Sequence, residues 1–298
     1  INIFSIFGQE KLKLQAMKRT KLFSLLCLST VLVNTSCSKD DDDDNSDNKP
    51  VVTPVVDEYD AADLKETSNY YFYGAELYSK ETFTYGKFEA KMKMAYAPGC
   101  ISSMFLYYND SYKGGTEVWN EIDIEVIGKQ PNGFQSNIIT GKSEKKVTSE
   151  KMYTTSSPIS NDFHIYTIEW TPEYVAWYFD GVEVRRNDAS NDSKKQVEAL
   201  VKDQSLRFNI WSSKSVDWVG NLYQKNIPIT QEIDYVKVYN YDAASKTFTE
   251  NWTDDFNSSL DTKRWGTGNW QMENVVERPK NVVVEDGMLK LMLTKEKK

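Results

Sequence analysis

Three observations predict an all-β protein built as an antiparallel sandwich. Along Lys87-Phe-Glu-Ala-Lys-Met-Lys-Met94, apolar and charged residues alternate without a break, which puts Phe88, Ala90, Met92 and Met94 on one face of a strand and the charges on the other. Turn-forming pairs such as Asp180-Gly181 and Asp286-Gly287 separate further segments of this kind. No apolar periodicity of 3.6 residues persists beyond a few turns, and strands do not alternate with helices, so a parallel sheet has no support.

The first sixty residues read as addressing rather than fold. Residues 1–16 precede Met17 and are expected to be a non-native leader. Met17-Lys-Arg-Thr-Lys21 is a basic start, and Leu22 to Val33 is an apolar run too short to span a bilayer, so residues 17–37 predict an export signal. It ends in Asn34-Thr-Ser-Cys37, which is similar to a lipoprotein processing site with Cys37 as the lipidated residue. Residues 38–60 open with five consecutive aspartates and contain Pro50 and Pro54, the composition of a disordered tether. The expected location is the outer membrane or cell surface, with a secreted or periplasmic form as the alternative. A membrane partner enters only through the possible anchor at Cys37. Residues 61–298 are expected to form one domain and to act as a monomer.

Within that domain the strand signals follow in order. Ser102-Ser-Met-Phe-Leu-Tyr-Tyr-Asn109 is apolar on both faces, as expected of a strand that covers a core on one side and lines an aromatic cleft on the other. Gly114-Gly115 turns the chain into Trp119-Asn-Glu-Ile-Asp-Ile-Glu-Val-Ile-Gly128. Gly133 to Gly141 carries Gln135 and Asn137 on one face. Tyr166 to Trp170 and the hairpin around Asp180-Gly181 come next, then Leu206 to Trp211, with Arg207, Asn209 and Trp211 on one side. Trp218 is expected in a loop, Tyr235 to Tyr239 in a strand, residues 240–250 in a connection, and Asn281 to Leu293 in a closing hairpin. His164 is expected to pack or cap.

The segment 119–128 carries the chemistry. Ile122, Ile124 and Val126 point one way; Trp119, Glu121, Asp123 and Glu125 point the other. Three like charges in succession on one strand face repel one another and need a reason. Cleavage of a glycosidic bond with retention of configuration gives one, because it uses a carboxylate nucleophile and a protonated carboxyl about 5–5.5 Å apart. Residues four apart on a flat strand are separated by about 13 Å, so Glu121 and Glu125 would have to lean together on a twisted strand. An amphipathic edge strand with a solvated acidic face fits the same pattern, and this segment alone leaves both readings open.

Composition narrows the field. The 298 residues are 13% aromatic, with 8 Trp and 18 Tyr, which favours stacking on sugar rings as well as core packing. The net charge is −8, and because residues 1–49 hold seven basic and seven acidic residues, the remainder is −8 as well. That argues against nucleic acid as a partner. With His164 the only histidine, a Ser-His-Asp triad has almost no support and a multi-histidine zinc site is excluded. Cys100 is alone in the folded part, so no disulfide forms there and its default role is packing.

These residues together resemble glycoside hydrolase family 16. The likeness is carried by Glu121-Ile-Asp-Ile-Glu125 and by Gly74-Ala-Glu-Leu-Tyr78, Tyr85 to Met94, Ser102 to Tyr107, Phe134 to Gly141, Glu169-Trp-Thr-Pro172 and Trp218-Val-Gly220, which look like the endo-1,3-1,4-β-glucanases, or lichenases. Trp252-Thr-Asp-Asp-Phe256 and Asp286-Gly-Met-Leu289, elements that open most family members, come last, so the chain is similar to the circularly permuted lichenases. The resemblance implies a jelly roll with a concave substrate cleft and a retaining attack on mixed-linkage β-glucan. In it Glu121 is the nucleophile, Glu125 the general acid/base and Asp123 the assisting carboxylate. It further implies substrate contacts from Glu76, Phe105, Tyr107, Asn109, Gln135, Asn137, Arg207, Trp211, Trp218 and Trp270. A structural Ca²⁺ is implied at Asp234, Asp255 and the backbone of Gly287, with no cofactor for catalysis. Two alternatives stay open: a surface glycan-binding lipoprotein without chemistry, and a family 16 hydrolase acting on another β-glucan.

Overall fold

A computed structural model describes residues 61–298. The expectations for the leader, export signal, Cys37 and tether lie outside the described residues. Among those described, eighteen strands dominate: β1 (Tyr70–Phe83), β2 (Gly86–Lys93), β3 (Cys100–Tyr107), β4 (Glu121–Ile127), β5 (Gly133–Lys142), β6 (Lys145–Thr148), β7 (Lys151–Thr154), β8 (His164–Trp170) and β9 (Tyr174–Phe179). The second half contributes β10 (Val182–Asp188), β11 (Gln204–Ser212), β12 (Ile229–Asp242), β13 (Thr247–Asp254), β14 (Trp265–Thr267), β15 (Gln271–Met272), β16 (Val275–Glu277), β17 (Val282–Glu285) and β18 (Met288–Lys297). The helices are short, the longest being Ala61–Thr67. None among the described residues is long and apolar enough to cross a membrane.

Antiparallel pairings run β14-β1-β11-β3-β4-β5 and on to β6 and β7 in one layer. In the other they run β10-β9-β8-β2-β12, with β13 and β18 sharing β12 and β17 closing on β18. The long β1 joins the layers: Tyr70–Tyr73 pair with β18, and the segment from Ala75 pairs with β11 and β14.

Alternation explains the packing. Phe88, Ala90, Met92 and Met94 are all fully buried, as are Ile122 and Ile124, with Val126 nearly so. They meet Phe134, Tyr166, Trp177, Phe208 and Leu291 in one continuous core. The two-residue turn Asp180-Gly181 needs left-handed backbone at both positions, and its φ values are 49° and 78°. His164 caps this turn, its Nδ1 2.7 Å from Asp180 Oδ2. Cys100 is buried and unpaired, its thiol pushed up to about 12 by burial.

Two local expectations change. Within the connection expected over 240–250, β12 continues to Asp242 and β13 begins at Thr247; one face of β13 is open to solvent and the other is only partly covered, through Phe248 and Trp252, so its apolar alternation is weak. Trp218 sits in a four-residue helical turn, Val216–Val219, rather than in a loop.

Candidate active site

Strand register assembles the site. Across β3 and β4, Tyr107 faces Glu121, Phe105 faces Asp123 and Ser103 faces Glu125, with no shift anywhere along the pair. β11 places Arg207 beside Phe105 and Asn209 beside Ser103, and β1 places Tyr78 beside Arg207 and Glu76 beside Asn209. Two rows of side chains therefore cross the layer: Glu76-Asn209-Ser103-Glu125 and Tyr78-Arg207-Phe105-Asp123. They lie on the floor of a cavity of about 740 Å³, with Trp119, Trp211, Trp270 and Tyr112 on its walls. The register is unbroken, so the Glu-x-Asp-x-Glu strand carries no bulge.

The floor is held from below. Trp177 Nε1, in the core, donates to the carbonyl of Asp123 at 3.0 Å, and Gln231 Nε2 donates to that of Ser103 at 3.1 Å. Both bonds tie a cleft strand to the opposite layer, so the carboxylates ride on rigid backbone. Gly268 packs against Glu76, where an added Cβ would come within 3.0 Å of the Glu76 side chain and 3.3 Å of the Trp270 ring. A side chain at this position would press on Glu76 and on the Trp270 ring, so glycine favours the close approach of this loop to the cleft.

Burial and mutual repulsion act on all three carboxyls. Glu125 is pushed up to about 8, first by burial and then by the charges of Glu121 and Glu150. Asp123 is raised well above the usual range by burial and by both glutamates, and it shares a hydrogen bond with Glu121. Glu121 is raised by burial too, but it collects the most stabilising partners of the three: the Trp119 indole N–H at 2.5 Å, the Lys146 charge, the Asp123 hydrogen bond and Arg207. The environment is thus asymmetric: lowering partners gather at Glu121, while burial and like charges raise Asp123 and Glu125. Beside them Arg207 donates to Glu76 at 2.5 Å and to Asn109 Oδ1 at 2.7 Å.

Of the expected substrate-contacting residues, Glu76, Phe105, Tyr107, Asn109, Arg207, Trp211 and Trp270 line the cavity with the three acids. Gln135 and Asn137 stand one strand further out, opposite Glu125 and Asp123, and are not among its lining residues. The Asn137 Oδ1 accepts the Ser149 N–H at 2.9 Å, which ties it to the neighbouring turn. Trp218 backs Trp211, with ring centroids 6.1 Å apart. Sequence reasoning missed Tyr78, Ser103, Tyr112, Asn209, Gln271 and Met272 as lining residues. Asn209, Tyr78 and Ser103 share strand parity with residues that were found, so a signal existed for those three.

The residues implied for calcium offer oxygen only, the donor type that ion prefers. Gly287 lies against the Asp255 loop, since a Cβ there would be 3.1 Å from Asn257 Oδ1. Asp234, however, is paired with Lys91 Nζ at 2.7 Å, so a cation gains this ligand only by displacing an ammonium.

An open aromatic groove whose floor presents two glutamates flanking an aspartate, in surroundings that differ from one end to the other, is the kind of site that glycosidic bond cleavage requires. The chain belongs to the glycosyl hydrolases family 16, whose family model matches residues 39–255. It is 48% identical over 231 residues to a beta-glucanase of Fibrobacter succinogenes, covering 76% of this chain and 64% of that protein. A beta-glucanase of Acetivibrio thermocellus is 33% identical over 178 residues, covering 59% of this chain and 49% of the relative. This chain therefore spans about half to two thirds of the length of these curated relatives. Among solved structures, a beta-1,3-1,4-glucanase (lichenase) derived from a mouse hindgut metagenome aligns with TM-score 0.45 and 26% identity, covering 57% of this chain and 79% of that one.

Proposed function

We propose that the protein is a retaining endo-β-glucanase that cuts mixed-linkage β-1,3-1,4-glucan by double displacement. The observation that carries this reading is the geometry of β4: Glu121, Asp123 and Glu125 face one aromatic cleft in unshifted register, with the Trp119 indole donating to Glu121 and burial raising Glu125. Glu121 attacks the anomeric carbon while Glu125 protonates the departing glycosidic oxygen. Glu125, now ionised, then takes a proton from water, which releases the sugar from Glu121 and restores both groups. Asp123 steadies Glu121 through their shared hydrogen bond. Arg207, Glu76 and Asn109 supply hydrogen bonds to sugar hydroxyls, and Trp211 and Trp270 supply faces for stacking. The beta-glucanase relatives support a β-glucan substrate, and the resemblance of this chain's motifs to lichenases supports the choice of a mixed-linkage one.

Two structural proposals accompany it. The fold is read as circularly permuted, supported by the pairing of the late strands β14, β16 and β18 with the first strand. A structural calcium ion is assigned to Asp255 and the Gly287 carbonyl, joined by Asp234 once Lys91 moves away.

The experiment compares mixed-linkage glucan, laminarin and carboxymethylcellulose as substrates for the full chain and for Glu121→Gln. Reducing sugar is expected chiefly from mixed-linkage glucan, and the variant is expected to release essentially none while remaining folded. Substantial turnover by the variant removes Glu121 as nucleophile. A polymer whose viscosity never falls points to a glycan binder instead.

A further inference from the structure

Trp119 stands two residues before Glu121, lines the cleft, and has a cation seated on its ring. Lys146 Nζ lies 3.3 Å from the centroid of its ring, and Tyr107 meets it edge-on at 5.7 Å. Its indole N–H is already committed to Glu121 Oε2 at 2.5 Å. Backbone contacts fix this stack. Lys146 on β6 pairs with Gly141 on β5, the Gly141 carbonyl accepts the Trp119 N–H at 2.8 Å, and Val118 bridges to Lys142.

A cation over an indole is attracted by the negative face of the ring, and it polarises the ring so that the N–H at its edge becomes a stronger donor. The groups facing Glu121 are Asp123 and Glu125 on its own strand, Tyr107 on β3, Arg207 on β11 with Glu76 behind it, and Lys146 on β6. Of the two cations, Arg207 is spent on Glu76 and Asn109. Lys146 makes no ion pair among the described residues, so its charge is free to act on the acids.

We propose that Lys146 is a positioning residue for Glu121, acting through the Trp119 ring to strengthen the indole hydrogen bond and to keep this carboxylate the ionised member of the β4 set. The proposal deepens the reading of Glu121 as nucleophile and rests on it for its catalytic meaning. Nothing that the family resemblance implied for this chain pointed to residue 146.

The test titrates the carboxyl carbon of Glu121 by NMR in the wild type, in Lys146→Met and in Lys146→Arg, and follows kcat/KM against pH on mixed-linkage glucan. Lys146 is exposed on a hairpin, so both variants should fold. A single partly exposed charge at this range is worth about half a pH unit. In the Met variant the Glu121 titration and the acid limb of the profile should both move up by about that much. The accompanying loss at the acid limb is about threefold, with the alkaline limb unmoved and Arg restoring the wild-type curve. Superimposable Glu121 titrations in wild type and Met variant overturn the proposal, as does a shift that Arg leaves unrestored. Because that titration is read without turnover, it stands apart from the Glu121→Gln experiment that judges the nucleophile itself.

Discussion

Replacing Glu125 with Gln should make the protein more stable, and only above the acidic range. The carboxyl of Glu125 rises from its ordinary value of 4.5 to about 8 on folding. Between these two values the folded protein holds a proton that the unfolded chain has released, so stability falls as pH rises through the window and levels off above it. At 1.36 kcal/mol per pH unit the full difference comes to about 5 kcal/mol; with one side of Glu125 open to cleft water, about 2–3 kcal/mol is the expected size. Gln keeps the shape and cannot ionise. It also removes a charge that helps to hold the proton on Asp123, which acts in the same direction. Urea unfolding of wild type and Glu125→Gln at intervals from pH 4.5 to 9 would measure this. The stability difference should be smallest near pH 4.5, grow by about 2–3 kcal/mol by pH 8 and then flatten, with Tm following by ~5–10 °C. Parallel profiles across that range would refute the argument, because they would mean that Glu125 titrates as it does in the unfolded chain.

Two further predictions test residues away from the reacting acids. Glu277 is fully buried, finds no hydrogen-bond partner for either carboxyl oxygen among the described residues, and is raised well above the usual range by burial and by Glu76. Glu277→Gln should therefore leave turnover intact and gain stability relative to wild type as pH rises from 5 to 9, measured by the same unfolding series; equal behaviour at both pH values would show that Glu277 is not held protonated. If calcium binds at Asp255, Gly287 and Asp234, adding millimolar Ca²⁺ to chelator-treated protein should raise Tm by a few degrees through ligand linkage. Asp255→Ala should abolish that response, and an identical Tm with and without the ion would remove the site.

Much of this fold was legible because a sheet with one buried face writes its geometry into every second residue. The strand from Phe88 to Met94 and the carboxylate strand were both visible for that reason, and their buried faces are as expected. β13 was not, because an edge strand with only Phe248 and Trp252 on its half-covered face shows too little alternation. Trp218 shows a different limit. An aromatic seven residues beyond Trp211 marks proximity to the cleft, but whether it touches the ligand or supports the residue that does depends on a short helical turn that local sequence does not dictate.

For the site, the limit is sequence distance. Parity on β4 placed three acids on one face, and a single strand can reveal no more than that such a face exists. What makes the surroundings of those acids unequal comes from elsewhere in the chain: Lys146 from a hairpin 25 positions beyond Glu121, Arg207 from β11 on the far side of β3, and Trp119 turned by the neighbouring backbone. Each acid alone, moved out of water, would be neutral at physiological pH and useless as a nucleophile. Chemistry on this strand therefore depends less on the signature itself than on the asymmetry of its surroundings, with donors and cations gathered at the Glu121 end and the charge of Glu150 facing the Glu125 end. Exchanging the polarity of those two surroundings would exchange the tendencies of the two glutamates while leaving the Glu-x-Asp-x-Glu pattern untouched.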